Sequence, residues 1–244
     1  MRNIPVVTRC LLIANFMIWM LSAILLRYGI SLNNIGGLHF YSASTFHFWQ
    51  PITYMFLHAD FWHIFCNMFA VWMFGPIIER EWGAKRFLIY YAICGLGAAF
   101  VQEVVWSLML TNMATHYSAA SVVAYSQMLD TIGASGAVFG ILFAFGWLFP
   151  DVPMFLLFIP VPIRARVFVI IYSLVELFAG LGSVAGLTSD HVAHFAHLGG
   201  LLFGWLVILW WKHPEWKEKL FHRHPKLDST KETDYEDYHY HKRV

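Results

Sequence analysis

The chain has 244 residues, of which 59% are hydrophobic, 18% aromatic and 13% charged, whereas soluble domains carry about 25% charged residues. Sixteen Lys and Arg face fifteen Asp and Glu for a net charge of +1, so a disordered chain, a basic nucleic-acid-binding domain and an ordinary soluble enzyme are all excluded. Cys10, Cys66 and Cys94 lie in apolar stretches without CxxC spacing, which argues against a disulfide framework or a zinc knuckle.

A membrane-spanning helix needs about 20 mostly apolar residues. Windows poor in Asp, Glu, Lys and Arg cover 10–26, 61–78, 87–110 (interrupted by Glu103), 131–150, 167–189 (interrupted by Glu176) and 191–211. The chain therefore reads as an all-α membrane protein, a bundle of six transmembrane helices. The first window is too long for a signal-peptide core and no small-residue cleavage site follows it, so it reads as a retained helix. Arg2 and Arg9 precede the first window; Arg80, Lys85 and Arg86 separate the second and third; Arg164 and Arg166 separate the fourth and fifth; eight more basic residues follow position 211. The opposite loops hold only Arg27, which places both termini in the cytoplasm. Residues 1–211 are then the membrane domain and 212–244 a hydrophilic, disordered cytoplasmic tail. The tail's His222/His224 and His239/His241 pairs read as solvated surface. Between windows, 27–57 is rich in His, Trp and Phe and lies partly at headgroup depth. Residues 111–130 are polar and weakly structured, and four prolines in 150–162 exclude a continuous helix there.

Polar residues inside lipid are costly and call for a functional hypothesis. His63 and Asn67 stand four apart, on one helix face. They read as a polar helix–helix clasp or as donors to an oxyanion. Gly133-Ala134-Ser135-Gly136 opens the fourth window. A lone membrane serine usually bonds back to its own helix. Here the flanking Gly133 and Gly136 permit unusual backbone angles and close approach, and a helix N-terminus offers free N–H groups to an anion. His197 is the natural base for such a serine; the equal alternative is a histidine bonded to a carbonyl. Gly136/Gly140 and Gly200/Gly204 are small-xxx-small pairs that let helix backbones touch, which would bring Ser135 beside His197. Glu176 reads as a structural hydrogen-bond partner ahead of a proton relay, and Glu103 as solvated near the outer surface; neither is assigned a catalytic role. The i, i+3, i+6 spacing of His191, His194 and His197 spreads them round a helix, and no HExxH string is present, so no metal is expected. His58 is read as a support for the loop.

Taken together these segments resemble the rhomboid family of intramembrane serine proteases over residues 1–211. His63-Ile-Phe-Cys-Asn67 resembles its HxxxN motif, Gly75 to Glu79 with Gly83 its GxxxExxxG segment, Gly133 to Gly136 its GxSG motif, and Ala196-His197-Leu198-Gly199-Gly200 with Gly204 its AHxxGxxxG motif. The resemblance implies Ser135 as nucleophile and His197 as general base, a dyad without a third acid, and an oxyanion hole built from His63, Asn67 and the Ser135 N–H. It implies no cofactor. The substrates would be membrane proteins with a single, helix-weakened span. Many members carry Trp-Arg in the first loop where this chain has Trp49-Gln50-Pro51, which puts that loop's anchoring in question. The compact six-span plan suggests a bacterial plasma membrane. Two other classes compete. A catalytically inactive, client-binding relative would typically lack the Ser135/His197 pair. A proton-coupled transporter would show inverted repeats, and none is found in the sequence.

Overall fold

The computed structural model describes residues 4–156, 159–184 and 192–212. In chain order the elements are α1 (Val6–Leu26), α2 (Leu32–Gly36), β1 (Leu38–His39), α3 (Gln50–Thr53), a 3-10 turn (Tyr54–Phe56), α4 (Phe61–Trp82), α5 (Ala84–Met113), α6 (Ala119–Ser126), β2 (Asp130–Thr131), α7 (Ser135–Leu148), β3 (Pro153–Leu156), β4 (Ile159–Arg164), α8 (Ala165–Val184) and α9 (His194–Lys212). The chain divides into two units, Met1–Ile208 and Leu209–Val244. Of the second, only the last turn of α9 is described. The rest of the expected tail, with its histidine pairs, lies outside the described residues, as do His191 and residues 185–189 of the fifth window.

The protein is a helical, multi-pass membrane protein. Among the described residues α1, α4, α5, α8 and α9 are long and apolar enough to cross a bilayer. α7, expected over 131–150, has only 14 residues, about 21 Å at 1.5 Å per residue, against a hydrocarbon core of about 30 Å. Ten of its fourteen residues are buried, Ala137, Ile141 and Ala144 completely. A helix apolar on every side belongs in the middle of a bundle, and α7 packs on α4, α5 and α8. α1 and α8 bury three residues each and expose many of their large apolar side chains, Ile13, Phe16 and Met17 on α1 and Ile170, Val175 and Phe178 on α8 among them.

α1 starts after Pro5, which has no side chain to cap it. Its orphan N–H groups are taken instead by Glu79 of α4. The carboxylate accepts from Val7 N (2.9 Å), Thr8 N (2.7 Å) and Thr8 Oγ1 (2.7 Å), a negative charge at the positive end of a helix dipole. Gly75 makes room for this contact, since a Cβ there would lie 3.1 Å from Thr8. Gly83, at φ +80°, ends α4 and starts α5. The Gly75–Glu79–Gly83 segment thus fastens three helices together.

The loops differ from expectation in three places. Residues 111–130 contain α6, whose N-cap Ser118 accepts from Ser121 N (3.2 Å). β3 and β4 pair antiparallel, Pro153 with Arg164 and Met154 with Ile163; two strands tolerate prolines that a helix would not. In the first loop Gln50 is fully buried. Its Nε2 donates to Thr45 O (2.8 Å) and Ile35 O (3.3 Å), and its Oε1 accepts from His39 N (3.3 Å). A neutral amide therefore anchors this loop. Glu103 is drawn into the same region, accepting from Tyr41 N at 3.2 Å.

Glu79→Ala is expected to destabilise the protein by at least about 2 kcal/mol, because it leaves several donors without their charged partner. Thermal unfolding in detergent measures this, and Thr8→Val should cost less.

Candidate active site

Ser135 is the first residue of α7, and the chain reaches it under tight control. β1 pairs with β2 (Leu38 with Thr131, His39 with Asp130), and Gly133 N donates to Tyr54 O at 2.9 Å. Gly133 sits at φ +129°, a conformation open to glycine and strained for any other residue. A Cβ there would also lie 2.6 Å from His63 Nε2. These ties hold Thr131–Ala134 out of the helix, which is why α7 begins four residues later than hydropathy suggests. The N-cap, Ala134, has no side chain to cap the first turn, so the turn's N–H groups stay available to a ligand.

α9 supplies His197. The two helices meet backbone to backbone: a Cβ on Gly200 would collide with the Gly136 carbonyl, and one on Gly140 would lie 3.4 Å from the Gly200 carbonyl while striking Cys94. Gly204 faces α5 instead, against the Tyr90 hydroxyl, which donates to Gly140 O at 2.8 Å. The glycine contact expected between these helices is therefore made through Gly136, Gly140 and Gly200, with Gly204 one turn along on Tyr90. It brings Ser135 Oγ to 2.8 Å from His197 Nε2 across 62 residues of sequence.

Two neighbours hold the His197 ring, and no sequence motif assigns Phe139 a role in the site. Phe139 stacks on the imidazole, centroids 4.3 Å apart and planes 9° from parallel. Its position four residues after Ser135, one turn along the same face, was the available signal. On the far side, Glu176 Oε2 lies 2.8 Å from His197 Nδ1 and 2.7 Å from His194 Nδ1. The reading of Glu176 as a hydrogen-bond partner matches this contact, but the two-residue dyad implied by resemblance leaves out the carboxylate at the back of the imidazole. His194 and His197 converge on this carboxylate, and with Glu176 they offer three donor atoms within 4.8 Å of one another; the expectation for all three histidines rests on His191, which lies outside the described residues. Among the described residues this is the cluster with the geometry to hold a divalent cation; hydrogen bonds engage all three atoms as they stand.

The front of the pair opens into a cavity of about 700 Å³ lined by His63, Asn67, Ser135, Phe139, Tyr172 and His197, among others. His63 Nδ1 accepts from Ala59 N (3.4 Å), which leaves the ring proton on Nε2, the nitrogen beside Gly133. Asn67 is 5% exposed, and its Nδ2 has no hydrogen-bond partner among the described residues. A buried donor without an acceptor is costly and ready for a ligand oxygen. His58 packs edge-on against His63, centroids 5.0 Å apart. Burial, reinforced by His63, pushes the His58 imidazole down to about 3.

Residues 45–213 match the Rhomboid domain family. Rhomboid protein 1, mitochondrial, of Saccharomyces cerevisiae is 32% identical over 153 residues, 62% of this chain and 40% of that protein. Rhomboid-like protein 11, chloroplastic, of Arabidopsis thaliana is 31% identical over 166 residues, 66% of this chain and 51% of its own. A protein of Bacillus subtilis named as a rhomboid protease, YdcA, is 33% identical over 95 residues, 38% of this chain and 37% of its own. The alignments thus span about half or less of these relatives. Two of these names place their proteins in a mitochondrion and a chloroplast, so the bacterial plasma membrane expected from the compact plan is not supported.

Gly200→Ala is expected to force α7 and α9 apart at a cost of about 1–3 kcal/mol, seen as a lowered thermal midpoint. The depressed His58 binds no proton in the folded state where the unfolded chain would. Its contribution is complete above about pH 6.5 and is lost as pH falls toward 3. Thermal midpoints measured across that window should fall less steeply in His58→Gln than in the wild type.

Proposed function

The chain belongs to the rhomboid family, and on that premise we propose that it is an intramembrane serine endopeptidase cutting membrane-protein substrates in or near a transmembrane segment. The observation that carries this reading is the 2.8 Å contact of Ser135 Oγ with His197 Nε2, made in a cavity that His63 and Asn67 also line. An intact hydroxyl–imidazole pair favours the protease over an inactive client-binding relative.

His197 Nε2 takes the Ser135 proton as Oγ attacks the scissile carbonyl carbon. The carbonyl oxygen becomes an oxyanion, and its donors are Asn67 Nδ2, His63 Nε2–H and the N–H of Ser135 at the uncapped start of α7. Protonated His197 then gives the proton to the leaving amine as the C–N bond breaks. Water, deprotonated by His197 in turn, hydrolyses the acyl-enzyme. Phe139 lies flat on the imidazole and keeps it in the plane of the transfer.

Hydrolysis inside a bilayer needs water at the serine. A 14-residue α7 starts below one surface, and irregular backbone at that depth is tolerable where protein or a water-filled cavity surrounds it. The charge distribution of the loops puts both termini, and the tail after 212, on the cytoplasmic side, so the cavity would face the opposite compartment. A substrate helix shields its own peptide bonds. The enzyme would therefore act on single-span proteins whose helix is weakened near the cut.

The test is cleavage of a single-span reporter in liposomes. Ser135→Ala and His197→Ala are each expected to abolish cutting while folding persists. Asn67→Ala and His63→Ala should each slow it by roughly 10²- to 10³-fold. Cleavage by both Ser135→Ala and His197→Ala at the wild-type rate would refute the assignment.

A further inference from the structure

We propose that Glu176 is a positioning residue for the reaction, the third member of a Ser135–His197–Glu176 relay, with His194 as the anchor that holds its carboxylate in place. The proposal rests on the protease reading above and adds a carboxylate that the dyad lacks.

Ser135 Oγ, His197 and Glu176 Oε2 form an unbroken line: 2.8 Å from Oγ to Nε2 and 2.8 Å from Nδ1 to Oε2. A carboxylate oxygen accepts and does not donate, so the proton between Glu176 and His197 belongs to Nδ1. This choice of tautomer leaves Nε2 with its lone pair, aimed at the serine. Without the carboxylate the neutral ring is free to carry its proton on Nε2, where it cannot serve as a base.

The chemistry then balances without another reagent. The Ser135 proton moves to His197 Nε2 as the Oγ–C bond forms, and the ring becomes an imidazolium. Its Nδ1–H stays bonded to Glu176, whose negative charge faces the new positive charge across one hydrogen bond. When the C–N bond breaks, the Nε2 proton leaves with the amine, and Glu176 ends as it began. The carboxylate is not protonated at any step.

His194 explains how a glutamate on α8 can be held steady. Glu176 is 5% exposed and one of three buried residues on that helix, and one turn on Gly180 packs against His194 and Phe195. His194 Nδ1, one turn before His197 on α9, bonds the same Oε2 at 2.7 Å. Two donors from one helix clamp one oxygen of another. A buried carboxylate needs such donors to remain charged. The position four residues before it is Tyr172, which packs on Phe139 (4.9 Å), itself stacked on His197. The imidazole is thus held on its edge by Glu176 and on its face by Phe139, with α8 behind both.

The experiment combines reporter cleavage in liposomes with ¹⁵N-histidine NMR of the wild-type protein. Glu176→Gln is expected to lower kcat at least tenfold, toward the roughly 10⁴-fold known for amidation of a triad acid, with KM within about twofold. Glu176→Asp, which keeps the charge on a shorter arm, should recover part of that loss. In the wild type, His197 should show a protonated Nδ1 and a bare Nε2. A Glu176→Gln variant that cuts at the wild-type rate would overturn the proposal, and so would a wild-type His197 protonated on Nε2 alone. The NMR readout needs neither turnover nor a variant that folds. Failure of the wild type to cut any reporter would overturn the protease reading instead, and is thereby distinguished.

Discussion

The seam where the backbones of α7 and α9 touch is the constraint on which the site depends. Lipid tails are as apolar as leucine, so helices in a membrane are held by close packing and interhelical hydrogen bonds rather than by escape from water. Gly136 and Gly200 let the two main chains meet directly, and no residue with a Cβ could occupy position 200 without displacing the Gly136 carbonyl. Gly140 and Gly204 extend the seam toward α5, where Tyr90 donates to the Gly140 carbonyl. A hydroxyl and an imidazole 62 residues apart are brought to hydrogen-bond distance because three helices share this seam. The geometry of the pair is a property of the bundle rather than of either helix.

A second constraint concerns polar backbone at depth. Any segment that stops being helical inside a bilayer must satisfy its N–H and C=O groups within the protein. Here the approach to Ser135 does so through the β1–β2 pairing and the Gly133–Tyr54 hydrogen bond. The first loop supplies both partners, and buried Gln50 ties that loop to itself through three backbone groups. At the other end of the bundle Glu79 performs a similar service for the uncapped start of α1. Gln50 and Glu79 are thus buried polar residues accounted for by backbone groups that would otherwise be stranded. Among the described residues several buried polar atoms have no partner, and Asn67 Nδ2 is the one of them whose residue lines the cavity.

Much of this was legible from residue types and spacing. The apolar windows located the long helices, and the GASG string with the small-xxx-small pairs pointed to α7 meeting α9. The length of α7 was not legible, because hydropathy treats Thr131–Ala134 as membrane-compatible, whereas β pairing and the φ of Gly133 hold those residues out of the helix. The pairing of β3 with β4 was not legible either: four prolines exclude a helix but do not by themselves announce two strands. Glu176 was seen as an intramembrane carboxylate in need of a partner. That its partner would be the back of His197 depends on how α8 leans on α9, a tertiary fact without a local signal. The i, i+3, i+6 spacing of His191, His194 and His197 bears on whether all three could share one metal and says nothing of a carboxylate that two of them could share. A carboxylate placed between them makes them converge.

The central claim is that Ser135 is an activated nucleophile in a cavity open to water. Labelling the protein in a bilayer with a fluorophosphonate, followed by mass mapping of the modified residue, tests it most directly. The account predicts a single adduct on Ser135 that disappears when His197 is replaced by alanine. An unlabelled Ser135 in folded protein, or an adduct that persists undiminished without His197, would contradict it.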